Sequence, residues 1–256
     1  MEGVKLMVEF QKLSEFFFEF IESDFKYAGD FYYDLHLNTT ASDSFIKPEF
    51  LKSFTDNKRY LLAVTDHNEI RGAIKVRELG VNNVPGIELG CEDGFEILVY
   101  FKTMELLEEF YKKEVEGYKN IKRMAKTHRD IHEYLELLKD YQCHISIPHI
   151  CGLVQKNFIN NKSYIYDVIK KVDSIETHNH ALSEERNKIA AEIREKYNKT
   201  ATFGSDAHIL RDMLSYYKYA NHELKNGDKI LDYLFKLGSI SGIGQKHILH
   251  MLKKHE

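Results

Sequence analysis

Proline is scarce in this chain, three in 256 residues, and no stretch is rich in glycine and serine. Linkers between domains draw on those residues. Their scarcity leaves no visible seam, and the length suits one domain spanning residues 1–256. Cysteine is also rare: Cys91, Cys143 and Cys151 are odd in number and far apart. That excludes a disulfide framework and a Cys-X-X-Cys zinc site, and it fits a reducing compartment. No apolar run is long enough to span a bilayer. The opening VKLMVEFQKLSEFFFEFIES is broken by Glu and Lys throughout, unlike the apolar stretch of a signal peptide. A cytoplasmic protein with no membrane partner is expected. Nor is one sign of charge in excess: 36 Lys and Arg face 40 Asp and Glu, a net −4. Such a balance gives no general affinity for nucleic acid or anionic membranes.

What is present is an alternation of short apolar runs with longer helical patterns. FYYDLHL (31–37), YLLAVT (60–65), NVPGIELG (83–90), FEILVYF (95–101), CHISIPH (143–149), the run leading into ETHNH (176–180) and TATFGSDAH (200–208) read as strands. Strands alternating with helices indicate an α/β fold with a mostly parallel sheet. An amphipathic helix over 4–20 precedes the first strand, and two helical segments follow the last. Residues 104–141 are long, charged and helical, and read as a helical insert. On a helical wheel Lys112, Lys119, Arg123 and Lys126 fall within about 60° of one another. That arc reads as a solvated face, the alternative being a rim that tracks phosphates.

The informative pattern is positional. Alternating side chains share a strand face, so Asp34, His36 and Asn38 point the same way, and Asp43 follows shortly after. Later strands end in Thr65-Asp66-His67, Gly86-Ile87-Glu88, Pro148-His149, Glu176-Thr177-His178-Asn179-His180 and Gly204-Ser205-Asp206-Ala207-His208, and one begins at Glu96. In β/α barrels the loops at the strands' C-terminal ends build the active site. Imidazoles and carboxylates gathered there suit divalent transition metals.

In these motifs the chain resembles the polymerase and histidinol phosphatase (PHP) family of metal-dependent phosphoesterases. DLHLN followed by Ser42-Asp43 matches its opening motif, and Thr65-Asp66-His67, Gly86-Ile87-Glu88, Pro148-His149 and GSDAH match the others, over about residues 31–210. The resemblance implies a distorted seven-stranded β/α barrel holding two or three divalent ions. His36, Glu88 and Asp206 would hold one, Glu88 would bridge to a second shared with His149, and His67, His208 and Asp43 would hold the third. Glu88 and Asp206 would position the attacking hydroxide through the metals. Asp34 and Asp66 would stand behind the ligand histidines and orient them.

Two positions depart from the family pattern. Asn38 replaces a second His of the opening motif, and Glu96 stands near the place of another His. Both read as metal ligands, and they make the site richer in oxygen, favouring Mn or Mg over Zn within a Mn, Fe or Zn range. His178 is a candidate substrate-binding residue. The expected activity is hydrolysis of a phosphomonoester or nucleotide through a metal-activated hydroxide. Alternatives are an exonuclease on short oligonucleotides, a catalytically impaired metal-binding or ligand-sensing module, and a C–N hydrolase on a similar barrel. Oligomeric state stays open.

Overall fold

Seven strands form one sheet in sequence order: β1 (Phe31–Leu37), β2 (Arg59–Val64), β3 (Val84–Gly90), β4 (Glu96–Phe101), β5 (Cys143–Ile147), β6 (Ser174–Asn179) and β7 (Thr200–Gly204). The computed structural model describes residues 15–21, 31–221 and 243–248. Residues 4–14 of the expected N-terminal helix, and part of the closing helical region, lie outside these. β3 and β4 are buried along their whole length and β2 along all but its first residue. Strands covered on both faces read as continuous apolar runs, which is why these were conspicuous.

The sheet curls until its edges meet. Leu37 bridges Ala207 in parallel, Asp206 N donates to the His36 carbonyl at 2.8 Å, and Asn38 N donates to the Ala207 carbonyl at 3.3 Å. The result is a seven-stranded sheet nearly closed into a barrel. The sheet is mostly parallel, as expected, with one exception: β4 runs antiparallel to both β3 and β5. Five residues (91–95) between β3 and β4 allow only a hairpin, with Gly94 at φ +80° in its turn. Helices α1 (Glu15–Phe18), α2 (Pro48–Thr55) and α3 (Arg71–Glu78) precede β1, β2 and β3 in turn. The reversal carries a functional consequence: the first residue of β4, Glu96, lies beside Gly90, at the end where the parallel strands finish.

The insert is less helical than its composition suggests. α4 (Met104–Phe110) runs into a wide π-type turn, Tyr111–Val115, and α5 (Ile131–Leu137) follows only after an irregular stretch. Asp130 caps α5 by accepting from His132 N and Glu133 N, while the Glu133 carboxylate accepts from Asp130 N. In between, Lys119 pairs with Thr127 as an antiparallel bridge. The predicted basic arc is therefore broken. Lys119 Nζ meets Glu69 and the Tyr111 hydroxyl, and Lys126 Nζ meets the Glu92 carbonyl. Further along, α6 (Phe158–Asn161) and α7 (Ile165–Lys171) precede β6, α8 (Glu184–Lys196) joins β6 to β7, and α9 (Leu210–Ala220) follows β7.

At the end opposite the strand termini, α1 plugs the barrel. Phe17 meets Tyr100 at 5.2 Å and His144 at 4.9 Å, both edge-on, and Phe16 adds a third ring against His144. The Ser174 hydroxyl donates to the Ile145 carbonyl, so it accepts from His144 Nε2 at 2.9 Å, which places a proton on that nitrogen. Burial holds the His144 pKa down, from 6.5 to about 4. Between those values the unfolded chain binds a proton that the folded chain refuses. Stability should therefore fall as pH drops from about 6.5 to 4, with His144 contributing on the order of 2–3 kcal/mol of the loss. In His144→Gln, which keeps a donor for Ser174, urea midpoints should show that part of the slope gone; a gap to wild type independent of pH would contradict it.

Candidate metal centre

Glu88, fully buried on β3, is the hub. Its Oε2 lies 3.3 Å from His36 Nε2 and 3.1 Å from His67 Nδ1, and its Oε1 lies 3.3 Å from His149 Nε2. His149 Nε2 is also 3.4 Å from Glu96 Oε2. A second group sits beside it: Asp43 Oδ1 faces His208 Nε2 at 3.2 Å, and Asp43 Oδ2 faces His67 Nε2 at 3.8 Å. Three sets of donors lie mutually within 4.8 Å: His36, Glu88 and His149; Asp43, His67 and His208; His67, Glu88 and Glu96. Glu88 and His67 each belong to two of them.

Each strand end delivers its residue by a local device. The loop from Asn38 to Asp43 folds over Asp66, whose carboxylate accepts from Thr39 N and Thr39 Oγ1 at 2.7 Å and from Ser42 Oγ at 2.6 Å. Asp34 accepts from the Tyr32 hydroxyl at 2.6 Å and from Ser205 N at 2.9 Å, fastening β1 to the end of β7. Burial raises both carboxyls, Asp34 to about 6. Among the described residues neither meets an imidazole, so the orienting role expected of them falls elsewhere. It falls to Glu176, which sequence reasoning passed over. Glu176 Oε1 takes His36 Nδ1 at 2.9 Å, and Oε2 accepts from His149 N at 2.8 Å and Asn179 Nδ2 at 2.9 Å. A carboxylate only accepts, so His36 Nδ1 carries the proton and Nε2 is turned toward Glu88 and Asp206. The signal available was Glu176 itself, leading the ETHNH run.

Asp206 is the most open of the carboxylates expected to bind metal. Its Oδ1 stands 3.5 Å from His36 Nε2 and 3.8 Å from His208 Nδ1. His208 Nδ1 is 2.9 Å from the Asp206 carbonyl, to which it donates, leaving Nε2 for Asp43. Asp206 and His149 have φ of +51° and +31°, a conformation costly for residues with a side chain and concentrated at functional sites. Asn38 lies on the same loop: its Oδ1 stands 3.4 Å from Ser42 Oγ, and its Nδ2 is buried without a hydrogen bond. His178 lies away from the mouth, stacked on Tyr219 at 4.8 Å and 14°. A bulge between Glu176 and His178 shifts the alternation and turns this side chain outward toward α9.

Electrostatically the site is a set of opposed buried charges. Burial disfavours charge on every member, but the neighbours outweigh it. His67 and His36 hold Glu88 well below the carboxylate range, and His208 and His67 do the same for Asp43. Asp206, Glu176 and Glu88 hold His36 well above its usual value, and Asp43 with Asp206 lifts His208 to about 9. A divalent cation fits this donor set. His36 Nε2, His67 Nδ1, Glu88 Oε2 and Asp43 Oδ1 are buried without a hydrogen bond. Within each of the three sets the donors, all inside 4.8 Å of one another, could close on an ion of their own at bonds of about 2.0–2.2 Å.

Lys156 completes the mouth. Its Nζ is 2.9 Å from Glu96 Oε2, while 43% of its side chain stays exposed. Glu96, Glu88 and Asp206 hold its pKa above the ordinary lysine value against partial burial. The turn that presents it includes Val154 at φ +48°, a strained value for a branched residue.

The mixed barrel with carboxylates and imidazoles at one mouth has counterparts among solved structures. The chain overlays on a candidate metal-dependent phosphoesterase from Bifidobacterium adolescentis with TM-score 0.53 and 15% identity, covering 69% of this chain and 87% of that one. A two-domain Bacteroides vulgatus protein, described as containing a PHP-like metal-dependent phosphoesterase, gives TM-score 0.52 and 16% identity over 75% and 56% of the two chains. The lesion-specific endonuclease of Pyrococcus furiosus gives 0.53 and 16%, over 69% of this chain and 48% of its own. The fold is thus the PHP-type barrel. An uncharacterized protein of Methanocaldococcus jannaschii is 25% identical over 202 residues, 77% of this chain and 74% of that protein. A family model for a GapR-like, DNA-binding domain matches residues 167–238; here that range includes the barrel strands β6 and β7.

Two substitutions test the geometry. A Cβ on Gly204 would stand 2.2 Å from His36 Cβ and 2.9 Å from His36 N. Gly204→Ala should cost about 1–3 kcal/mol by urea unfolding, the usual range for overpacking, and should lower bound metal. Glu176→Gln should weaken cation binding about 10–100-fold, as loss of a partner behind a ligand does; unchanged affinity by calorimetry would remove Glu176 from this role.

Proposed function

We propose that the chain, acting as one domain over residues 1–256, is a PHP-type metal-dependent hydrolase of phosphoric esters. The observation that carries this is the shared use of Glu88 and His67 by three adjacent donor sets at the barrel mouth. His36, Glu88, His149, Asp206, Glu96, Asp43, His67 and His208 would hold two or three divalent ions. The oxygen-rich set favours Mn, Fe or Mg over Zn. When bound, such ions lower the pKa of water and neutralise phosphoryl oxygens.

The chain's own residues do the rest. Glu176 keeps the proton on His36 Nδ1, and the Asp206 carbonyl keeps that of His208 on Nδ1, so both present Nε2 inward. Asp206, whose carboxylate is 14% exposed, can orient an incoming water at Oδ1. Lys156 can leave Glu96 for a phosphoryl oxygen. Asp34 and Asp66 hold the loops that bring Asp206 and Asp43 into place.

The substrate we favour is a small phosphomonoester or nucleotide. A short oligonucleotide is the second reading, favoured by a cavity of about 410 Å³ lined by Lys126, Lys162, Gln155 and Asn161. Its Asp93–Gly94 and Val154–Gln155 walls adjoin Glu96 and Lys156 in the chain. The similarity to a lesion-specific endonuclease points the same way.

A panel of monoesters, diesters and short oligonucleotides, run with Mn, Fe, Zn and Mg, tests both readings. Metal-dependent turnover should appear and fall at least about 100-fold in Asp206→Ala at unchanged unfolding midpoint. If oligonucleotides are the substrate, Lys126→Gln with Lys162→Gln should raise KM and flatten its salt dependence. No turnover of any member with any metal would exclude the hydrolytic reading.

A further inference from the structure

Residues 243–248 form a turn of helix, and its contacts fall on the segment that carries Asp43. His247 Nε2 lies 2.9 Å from Asp43 Oδ2, 204 residues earlier in the chain. Beside it, Lys246 Nζ donates to the Ser44 carbonyl and stands 4.3 Å from the centre of the Phe45 ring. Residues 43, 44 and 45 are thus engaged together from the C-terminal side. The other side is fixed by the end of β7, where Phe45 N and Ser44 Oγ donate to the His208 carbonyl at 2.8 and 3.1 Å.

A carboxylate only accepts, so His247 Nε2 carries the proton in this contact. One oxygen of Asp43 is therefore committed to His247. The other, Oδ1, faces His208 Nε2 at 3.2 Å and has no hydrogen bond. His247 is not one of the clustered donors: the set within 4.8 Å is Asp43, His67 and His208. It also stays 32% exposed at its side chain, whereas Asp43 and His67 are 3% exposed.

We propose that His247 is a positioning residue for the outer cation, holding Asp43 Oδ2, the oxygen that also faces His67 Nε2, so that Oδ1 alone is offered beside His208. The proposal rests on the metal-dependent reading above. A carboxylate free to rotate can bind through one oxygen or both, and two-oxygen binding suits large, flexible coordination spheres such as that of Ca²⁺. Fixing one oxygen lowers the ligand count and leaves a His₂Asp set for a small transition-metal ion. The C-terminal segment thereby becomes part of the site without supplying a ligand.

The test titrates the full-length, metal-stripped chain with Co²⁺ and with Mn²⁺, counting equivalents by native mass spectrometry and affinities by calorimetry. Wild type, His247→Ala and His247→Gln are compared. One equivalent should lose about 10–100-fold in affinity in His247→Ala, with the others unchanged. His247→Gln, whose amide can donate to the same oxygen, should recover most of the loss. Equal affinities in wild type and His247→Ala overturn the proposal, and so does an unrestored His247→Gln. A wild-type chain that binds neither cation overturns instead the metal-dependent reading on which it stands.

Discussion

Glu88 is a carboxylate shut away from water with three imidazoles around it, and much of the molecule can be understood as what keeps it there. A lone buried carboxylate is strongly disfavoured, and it persists only when paired and hydrogen-bonded. Here the pairing comes from β1, from the turn after β2 and from the turn after β5, with Glu88 itself on β3. None of these partners is local. The barrel has to close before Glu88 is satisfied, so closure of the fold and assembly of the site are one event. The same crowding holds Glu88 and Asp43 ionised and raises His36, which is the electrostatic condition a divalent cation relieves.

The carboxylates divide into two kinds of work. Asp34 and Asp66 bind backbone and hydroxyl groups, and they fix where the β1 loop and the β7 terminus run. Glu176 binds a ring nitrogen and a backbone amide, and so sets the direction of both His36 and His149. Glu88, Glu96, Asp43 and Asp206 face the imidazoles. Burial raises Asp34 and Asp66, whereas neighbouring imidazoles hold Glu88, Asp43 and Asp206 low. The physical distinction is whether a cation or only a neutral donor stands nearby.

The reversal of β4 widens what the mouth can contain. In an all-parallel barrel the start of a strand lies at the opposite end from the site. Because β4 runs the other way, Glu96 arrives beside His149, and the hairpin before it forms one wall of the adjoining cavity. The irregular stretch of the insert and the turn that carries Lys156 supply the other walls. Strands and the turns at their ends thus hold the candidate metal donors, while longer irregular segments shape the space around them.

The sequence by itself determined the alternation of strands and helices and the row of candidate donor residues at strand ends, the barrel being implied by the family resemblance. Those features are legible because a buried strand must be apolar, and because β/α connections bring strand termini to one face. Tertiary structure alone decided the direction of β4, the outward turn of His178, the irregular path of the insert and the partners of Asp34 and Asp66. It also supplied Glu176 for His36 and His247 for Asp43, across separations of 140 and 204 residues. One bulged residue inverts which side chains face inward, and a hydrogen bond between distant segments leaves no periodic trace. The residue types that can bind a cation are written along the chain; which atom of each faces which neighbour follows only from closure of the barrel.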